Sequence, residues 1–299
     1  MPEVQVNGVR LYYESQGAGA PVVFVHEFAG AHESWVDQVR FFCRRYHVVT
    51  YNARGYPPSE IPPGPAQYSQ DIAVDDLAGV IQGLDLAPAH VVGLSMGGYA
   101  TLHLGLRYPA LARSLVVAGC GYGSVPSQQE RFRQEAQEAA RRFEEDFAGF
   151  AATYTAGPTR LQLERKDPIA YDRFVENFRR HSPQGSANTM RGLQSRRPSV
   201  YALEEGLRKM EVPTLILTGD EDEPCLEPGL FLKRTLPRAA LVTFPNAGHL
   251  INLEEPALFN RTVLDFITEV DAGRWPRRDP RTRTQAALFQ DARAQDKKT

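Results

Sequence analysis

The sequence predicts an α/β protein: a mostly parallel, twisted sheet with helices on both faces, interrupted by a helical insertion. Three observations carry that reading. Short apolar runs alternate with amphipathic segments over most of the chain, the order that builds a parallel sheet through crossover helices. Pro21–Val25 is continuously apolar, as a strand buried on both faces must be. Between about Gly123 and Lys209 the alternation lapses, and helical periodicity continues without strand signals.

The elements follow in order. Val4–Val6 and Val9–Tyr13 flank Asn7-Gly8, a pair that suits a tight two-residue turn, so an antiparallel hairpin opens the fold. After Pro21–Val25, strands are expected at His47–Tyr51, His90–Gly93, Ser114–Ala118, Thr214–Leu217 and Ala240–Phe244. Helices are expected at Ser34–Arg44, Ile72–Leu84, Gly97–Tyr108, Pro228–Leu236 and Pro256–Val270. Inside the insertion, Phe132, Ala136, Ala139, Phe143, Phe147 and Phe150 recur at steps of three and four. That spacing predicts one amphipathic helix over Gln128–Phe150. Asp167-Pro168 supplies an N-cap and a proline at the first helical position. The helix it starts is expected to carry Ile169, Phe174, Val175 and Phe178 inward. A third short helix holds Met190 and Leu193. Most of these aromatics are expected to pack the insertion onto the sheet, and a few to line a pocket beneath it. The chain thus divides into a core (1–123 and 210–272), a helical insertion (124–209) and a charged, loosely attached tail (273–299).

Composition narrows the function classes. The chain has 299 residues, 42% of them hydrophobic, which is long enough for a large core and too apolar for a disordered protein. Basic and acidic side chains number 34 and 36, so no net positive field attracts nucleic acid or anionic lipid, and neither partner is expected. No apolar run approaches the ~18 residues of a membrane span. Met1–Tyr13 alternates and carries charges, unlike a secretory leader. A soluble cytoplasmic protein is expected. Cys43, Cys120 and Cys225 are far apart with no C-x-x-C spacing, which excludes a thiolate zinc site and argues against a disulfide framework.

The chemistry concentrates in four loops. Gly93-Leu94-Ser95-Met96-Gly97-Gly98 lies between an apolar run and a helical pattern, the context of a nucleophile elbow. The turn is so tight that side chains on the flanking positions would collide with backbone, and the serine is pushed into a strained conformation with its hydroxyl projecting. Such a hydroxyl needs a base. Of seven histidines, His90 and His103 fall within regular elements and are expected to be structural. His249, in a loop after the last strand, can reach the same sheet edge and is the expected base. The orienting acid should follow another strand, and Thr214–Gly219 leads into Asp220-Glu221-Asp222-Glu223. Asp222 is preferred because residues beyond Gly219 are needed to reach over the edge; Asp220 is the alternative and a natural turn-former. The acid holds the imidazole tautomer and stabilises its cation. The Met96 amide, next to the nucleophile, and the Phe28 amide, in His26-Glu27-Phe28-Ala29-Gly30, are the expected oxyanion donors. His26 is read as bracing that loop.

Taken together, His26–Gly30, Asn52-Ala53-Arg54-Gly55-Tyr56 with Ser59, Gly93–Gly98, Gly219–Asp222 and Gly248-His249 before Asn252–Pro256 resemble the α/β-hydrolase superfamily, over nearly all the chain up to about Val270. The resemblance implies the α/β-hydrolase fold, with the insertion in the place of the family's cap domain. It also supports Asp222, since the second aspartate of such a turn is the family's catalytic one. Two loops depart from the family pattern: the first at Glu27, and the second where the usual Asp-x-Arg-Gly-x-Gly reads Asn52-Ala53-Arg54-Gly55-Tyr56-Pro57. Glu27 stands where a glycine usually follows the histidine, and is expected to pair with a cation such as Arg54 or to contact substrate. Arg54 and Tyr56 lie in a proline-stiffened loop expected to shape the pocket mouth and bind substrate. A serine rather than an aspartate at the elbow separates the chain from the dehalogenases and epoxide hydrolases of this fold.

The expected activity is that of a serine hydrolase acting on a small or medium carboxylic ester or lactone, with neither metal nor organic cofactor. Two other readings use the same residues: C–C bond hydrolysis of a diketone-type metabolite, and a non-catalytic small-molecule receptor. The first calls for a pocket arginine facing a substrate carboxylate, for which Arg54, Arg191 and Arg196 are the candidates. Apolar residues on the insertion's helices are compatible with a homodimer.

Overall fold

The computed structural model describes residues 2–283. Eight strands form one sheet: β1 (Glu3–Val6), β2 (Val9–Gln16), β3 (Pro21–Val25), β4 (His47–Tyr51), β5 (Ala89–Leu94), β6 (Ala112–Ala118), β7 (Thr214–Gly219) and β8 (Ala239–Phe244). Their spatial order is β1-β2-β4-β3-β5-β6-β7-β8. β2 is antiparallel to both its neighbours, and every pair from β4 to β8 is parallel. β3 is central, with Val22 opposite both Val48 and His90. Parallel pairing puts the C-terminal ends of β3, β5, β7 and β8 on one edge, where loops from distant parts of the sequence meet.

Side chains on successive strand residues point to opposite faces, and β3 divides its residues accordingly. Val22 and Phe24 join a core with Trp35, Phe42, Phe259 and Val263 under α1 (Val36–Phe42) and a long C-terminal helix, Pro256–Asp271. Val23 and Val25 join the opposite core with Leu77, Ile81 and Leu102 under α2 (Gln70–Gly83) and α3 (Met96–Arg107). Both faces are therefore covered, which is why these strands tolerate no polar alternation.

The insertion between β6 and β7 comprises α4 (Gln129–Glu145), α5 (Phe147–Thr155), α6 (Leu161–Lys166), α7 (Pro168–Arg179), α8 (Pro183–Asn188), a π-helical turn (Thr189–Gln194) and α9 (Glu204–Lys209). The single helix expected over Gln128–Phe150 is two. Asp146 leaves helical geometry at φ −150° and its side chain accepts from Gly149 N–H at 3.0 Å, capping a new helix. The Asp167 cap forms as the sequence implies, accepting from Ala170 N–H at 2.9 Å. Phe174 and Phe178 are buried, but Ile169 is 76% exposed. Five residues of helix are about 500°, so Ile169 cannot share the face of Phe174. After β7, α10 runs Glu223–Thr235 and begins five residues before the expected Pro228, with Asp222 at its N-cap position and Pro224 in its first turn. α11 (Ile251–Glu254) and α12 (Pro256–Asp271) follow β8.

The start of the expected loose tail is docked. Trp275 packs edge-on against Phe266 at 4.6 Å and donates its indole N–H to Arg238 O at 2.9 Å. Residues 284–299 of that tail lie outside the described residues. Among the described residues, no helix is long and apolar enough to cross a membrane.

Candidate active site

The elbow follows β5 directly. Ser95 sits at φ 55°, ψ −111°, a region a residue with a Cβ enters only when the surroundings impose it. They do so by close packing. A Cβ on Gly97 would stand 2.1 Å from Val25 O, and one on Gly93 would stand 2.2 Å from Gly97 O. The Ser95 amide is tied to Ala118 O at 2.8 Å. Met96 opens α3, so its N–H is among the donors that a helix start leaves free and the helix dipole favours an anion there. Phe28 follows β3 in a loop closed by Gly30 N–H on Glu27 O at 3.1 Å, and its own N–H takes no protein acceptor among the described residues.

His249 Nδ1 lies 2.8 Å from Asp222 Oδ2, with both side chains buried. A carboxylate can only accept, so Nδ1 carries the proton and Nε2 is left with its lone pair. Burial alone would push the Asp222 carboxyl up. The facing His249, with the Cys225 thiol and the Arg160 guanidinium, outweighs burial and holds it below the usual carboxylate range. Asp220 is exposed and accepts from Ala247 N–H at 3.0 Å; it ties the acid turn to the histidine loop. The structure thus brings Asp222, not Asp220, to the imidazole.

Ser95, Asp222, His249 and Phe28 line one cavity of about 220 Å³. Its roof comes from the insertion: Phe132 and Ala136 of α4 and Phe150 and Tyr154 of α5. Residues 20–256 match the profile of the alpha/beta hydrolase fold. The chain belongs to that family. The hydrolase is 26% identical over 287 residues to 2-hydroxymuconate semialdehyde hydrolase of Pseudomonas sp. strain CF600, covering 90% of this chain and 94% of that one. It is 26% identical over 271 residues to 3-oxoadipate enol-lactonase 1 of Acinetobacter baylyi, covering 89% and 93%. Among solved structures it resembles the enol-lactonase of Burkholderia xenovorans LB400, with a TM-score of 0.77 at 25% identity over 90% of this chain and 100% of the other.

Within the hydrolase, the residues expected to bind substrate separate. Arg54 is buried in a fork on Asp76, Nε to Oδ2 at 2.5 Å and Nη2 to Oδ1 at 2.7 Å. With Tyr56 it lines a different cavity of about 30 Å³. Glu27 pairs not with Arg54 but with Arg160 of the insertion, at 3.1 Å, both almost fully buried. Arg160, rather than Glu27 itself, lines the Ser95 cavity. Arg191 is paired with Glu144 and Arg196 is exposed; neither lines it. His26 accepts from Ala53 N–H at 3.0 Å through Nε2 and places Nδ1 2.7 Å from Glu27 O, bracing the oxyanion loop against the loop after β4. Burial lowers its pKa to about 4, so it is neutral there.

Sequence reasoning missed three residues. Glu254 receives Gly248 N–H at 2.5 Å and Leu250 N–H at 2.9 Å, gripping the backbone on both sides of His249. It stands in the Asn252–Pro256 segment, but nothing local to that segment tells which way its carboxylate turns. Arg160 and Arg197 both line the cavity and come from the insertion, far in sequence from the four loops that carry the chemistry. Asp222, Cys225 and His249 offer ligand atoms within 4.8 Å of one another. They suit a metal poorly, because burial and the adjacent Asp222 push the thiol well above its usual range and keep it protonated.

Proposed function

We propose that this chain is a serine hydrolase that cleaves a small carboxylic ester or lactone through an acyl-Ser95 intermediate. The observation that carries the reading is the 2.8 Å bond from His249 Nδ1 to a buried Asp222, which fixes the tautomer with Nε2 free, in a cavity shared with a strained serine. Ser95 Oγ attacks the carbonyl carbon and its proton passes to His249 Nε2. The tetrahedral oxyanion is held by the Phe28 and Met96 amides. Collapse breaks the C–O bond, and the imidazolium returns the proton to the leaving alcohol or enol oxygen. A water then attacks the acyl-serine, giving its proton to the same nitrogen, and the acid departs as Ser95 is reprotonated. Asp222 stabilises the imidazolium without taking the proton.

A cavity of about 220 Å³ lies below the roughly 300–1,000 Å³ typical of sites for drug-sized ligands, which supports a small substrate. The enol-lactonase relatives favour a lactone among the esters. C–C bond hydrolysis is the second reading, supported by the semialdehyde hydrolase relative, and it places Ser95, His249 and the oxyanion amides at a carbonyl in the same way.

The test is hydrolysis of p-nitrophenyl esters of rising acyl length, wild type against Ser95→Ala, with acyl-enzyme trapping followed by mass spectrometry. Turnover with a short-chain optimum, a trapped acyl group on Ser95 and loss of turnover in Ser95→Ala are expected. Turnover that survives Ser95→Ala would overturn the assignment. Inactivity of the wild type on every ester and lactone offered, with cleavage of a vinylogous diketone, would decide for the second reading.

A further inference from the structure

Of the sixteen residues lining the Ser95 cavity, two are exposed, Tyr122 and Glu135, and the others are buried or half-buried. The chamber therefore meets solvent between these two. Tyr122 follows β6 and Glu135 stands on α4, so one side of the opening belongs to the core and the other to the insertion.

A ring 41% exposed at a cavity edge would be a loose flap if its backbone could move. Here the backbone is fixed. Tyr122 stands between Gly121 at φ 152° and Gly123 at φ 75°, conformations that side chains disfavour. A Cβ on Gly121 would stand 2.4 Å from Pro228 Cβ of α10, and one on Gly123 would stand 2.2 Å from Phe132 Cδ1. The segment is thus threaded between α10 and α4, and Tyr122 O accepts from Arg197 Nη2 at 2.6 Å. The ring itself meets Phe132 edge-on at 5.1 Å. Partial burial and, next, the Glu135 carboxylate raise the phenol pKa above its ordinary value. Arg131 holds that carboxylate from the other side at 2.8 Å.

We infer that Tyr122 is a specificity-determining residue, which bars the mouth of the cavity and sets the length of substrate that fits. That role rests on the proposal that Ser95 is the nucleophile, since the barred chamber is the one Ser95 serves. A substrate contained in about 220 Å³ reacts with the bar in place. A longer one must push its chain past a ring held by Phe132 and Glu135, and the chain then emerges into water, where it gains nothing. Removing the ring leaves the face of Phe132 for the chain to lie on. Each methylene that finds apolar cover is worth about fourfold in affinity.

Ratios of kcat/KM read the bar independently of overall rate. Two pairs probe the two ends of an ester: p-nitrophenyl octanoate against p-nitrophenyl butyrate, and hexyl butyrate against ethyl butyrate. The wild type should favour the shorter member of each. Both pairs differ by four methylenes, so cover for two of them is enough to raise the long-to-short ratio at least about tenfold. Tyr122→Ala should do so in one pair, and that pair identifies the end of the substrate that faces the mouth. Tyr122→Trp, which fills the opening further, should lower the same ratio. Tyr122→Phe keeps the ring without the hydroxyl and should fall between wild type and Tyr122→Ala. A purely packing role would lower both members alike and leave the ratios where they were. Ratios that stay within about twofold of wild type in both pairs for Tyr122→Ala, or a rise in Tyr122→Trp, overturn the inference. Should Tyr122→Ala fail to fold, Tyr122→Trp and Tyr122→Phe decide, since they must move the ratio in opposite directions. Calorimetric titration of the Ser95→Ala protein with ethyl butyrate, hexyl butyrate and ethyl octanoate, with and without Tyr122→Ala, separates the mouth from the chemistry. A Tyr122-dependent length preference in binding without ester turnover would remove the ester reading and leave the mouth standing; turnover that Ser95→Ala abolishes, with ratios indifferent to Tyr122, would do the reverse.

Discussion

Replacing Glu27 with glutamine removes the counter-ion of a guanidinium almost wholly out of water. The Glu27 and Arg160 side chains are 2% and 3% exposed, 3.1 Å apart. Arg160 keeps Thr159 Oγ1, at 2.7 Å, and the ring faces of Tyr154 and Phe174, at 5.4 and 5.5 Å, as neutral partners, and its Nε already has none. Breaking a buried pair from one side leaves an uncompensated charge and costs about 3–5 kcal/mol. Arg160→Met should cost about as much, because Glu27 Oε1 is already unpartnered and Oε2 then loses its donor. Glu27→Gln with Arg160→Met leaves no buried charge and should cost about 1–2 kcal/mol. The coupling energy from the cycle would then be about 4 kcal/mol or more, beyond the roughly 0.5–3 kcal/mol usual for residues in contact. Function should follow, because Phe28 is the next residue after Glu27. A displaced oxyanion donor lowers kcat by about 10²–10³, and Glu27→Gln is expected near the low end. Urea unfolding followed by circular dichroism, paired with kcat on a p-nitrophenyl ester, measures both quantities. Single variants within about 0.5 kcal/mol of wild type, or a double variant as damaging as the sum of the singles, would refute the reasoning.

Three further outcomes follow from the geometry. Asp222→Asn should reverse the favoured His249 tautomer and lower kcat by about 10⁴; a fall of less than about tenfold would mean that another acid orients the imidazole. Glu254→Gln replaces an acceptor of two backbone N–H groups with one that can satisfy only one. It should cost about 1–3 kcal/mol of stability and lower kcat, and unchanged values for both would show that the His249 loop holds itself. Burial lowers the pKa of His181 to about 3 and that of His103 to about 4, below the 6.5 of a free imidazole. Both are neutral in the fold while the unfolded chain takes up protons below pH 6.5. Stability is therefore complete above that pH and falls as pH drops toward 4, by up to about 3 kcal/mol per group. Both His181 ring nitrogens lack partners, and the ring packs edge-on against Tyr56 and Phe178. His181→Phe should thus flatten the decline in urea midpoint between pH 6.5 and 4, and an unaltered slope would assign the acid sensitivity elsewhere.

The sequence by itself determined the sheet-and-helix order, the elbow at Ser95, the histidine loop and the acid turn, because each is written in neighbouring residues. Apolar runs, Gly-x-Ser-x-Gly-Gly spacing and an Asp-Pro helix start are local, and the backbone geometry they impose survives in any context. Even so, helix limits failed where a side chain chose between two local roles: Asp146 caps a new helix instead of continuing the old one, and Ile169 lies off the inward face. What only the tertiary structure decided is how charges are paired. Glu27 finds Arg160 133 residues away, while Arg54, nearer in sequence, is taken by Asp76. Asp222 rather than Asp220 reaches His249 because Asp220 is bound to Ala247 N–H. The physical reason is that a charged side chain carries no periodic signal for its partner. A carboxylate's partner is settled by which cation shares its buried space after the insertion closes over the sheet edge.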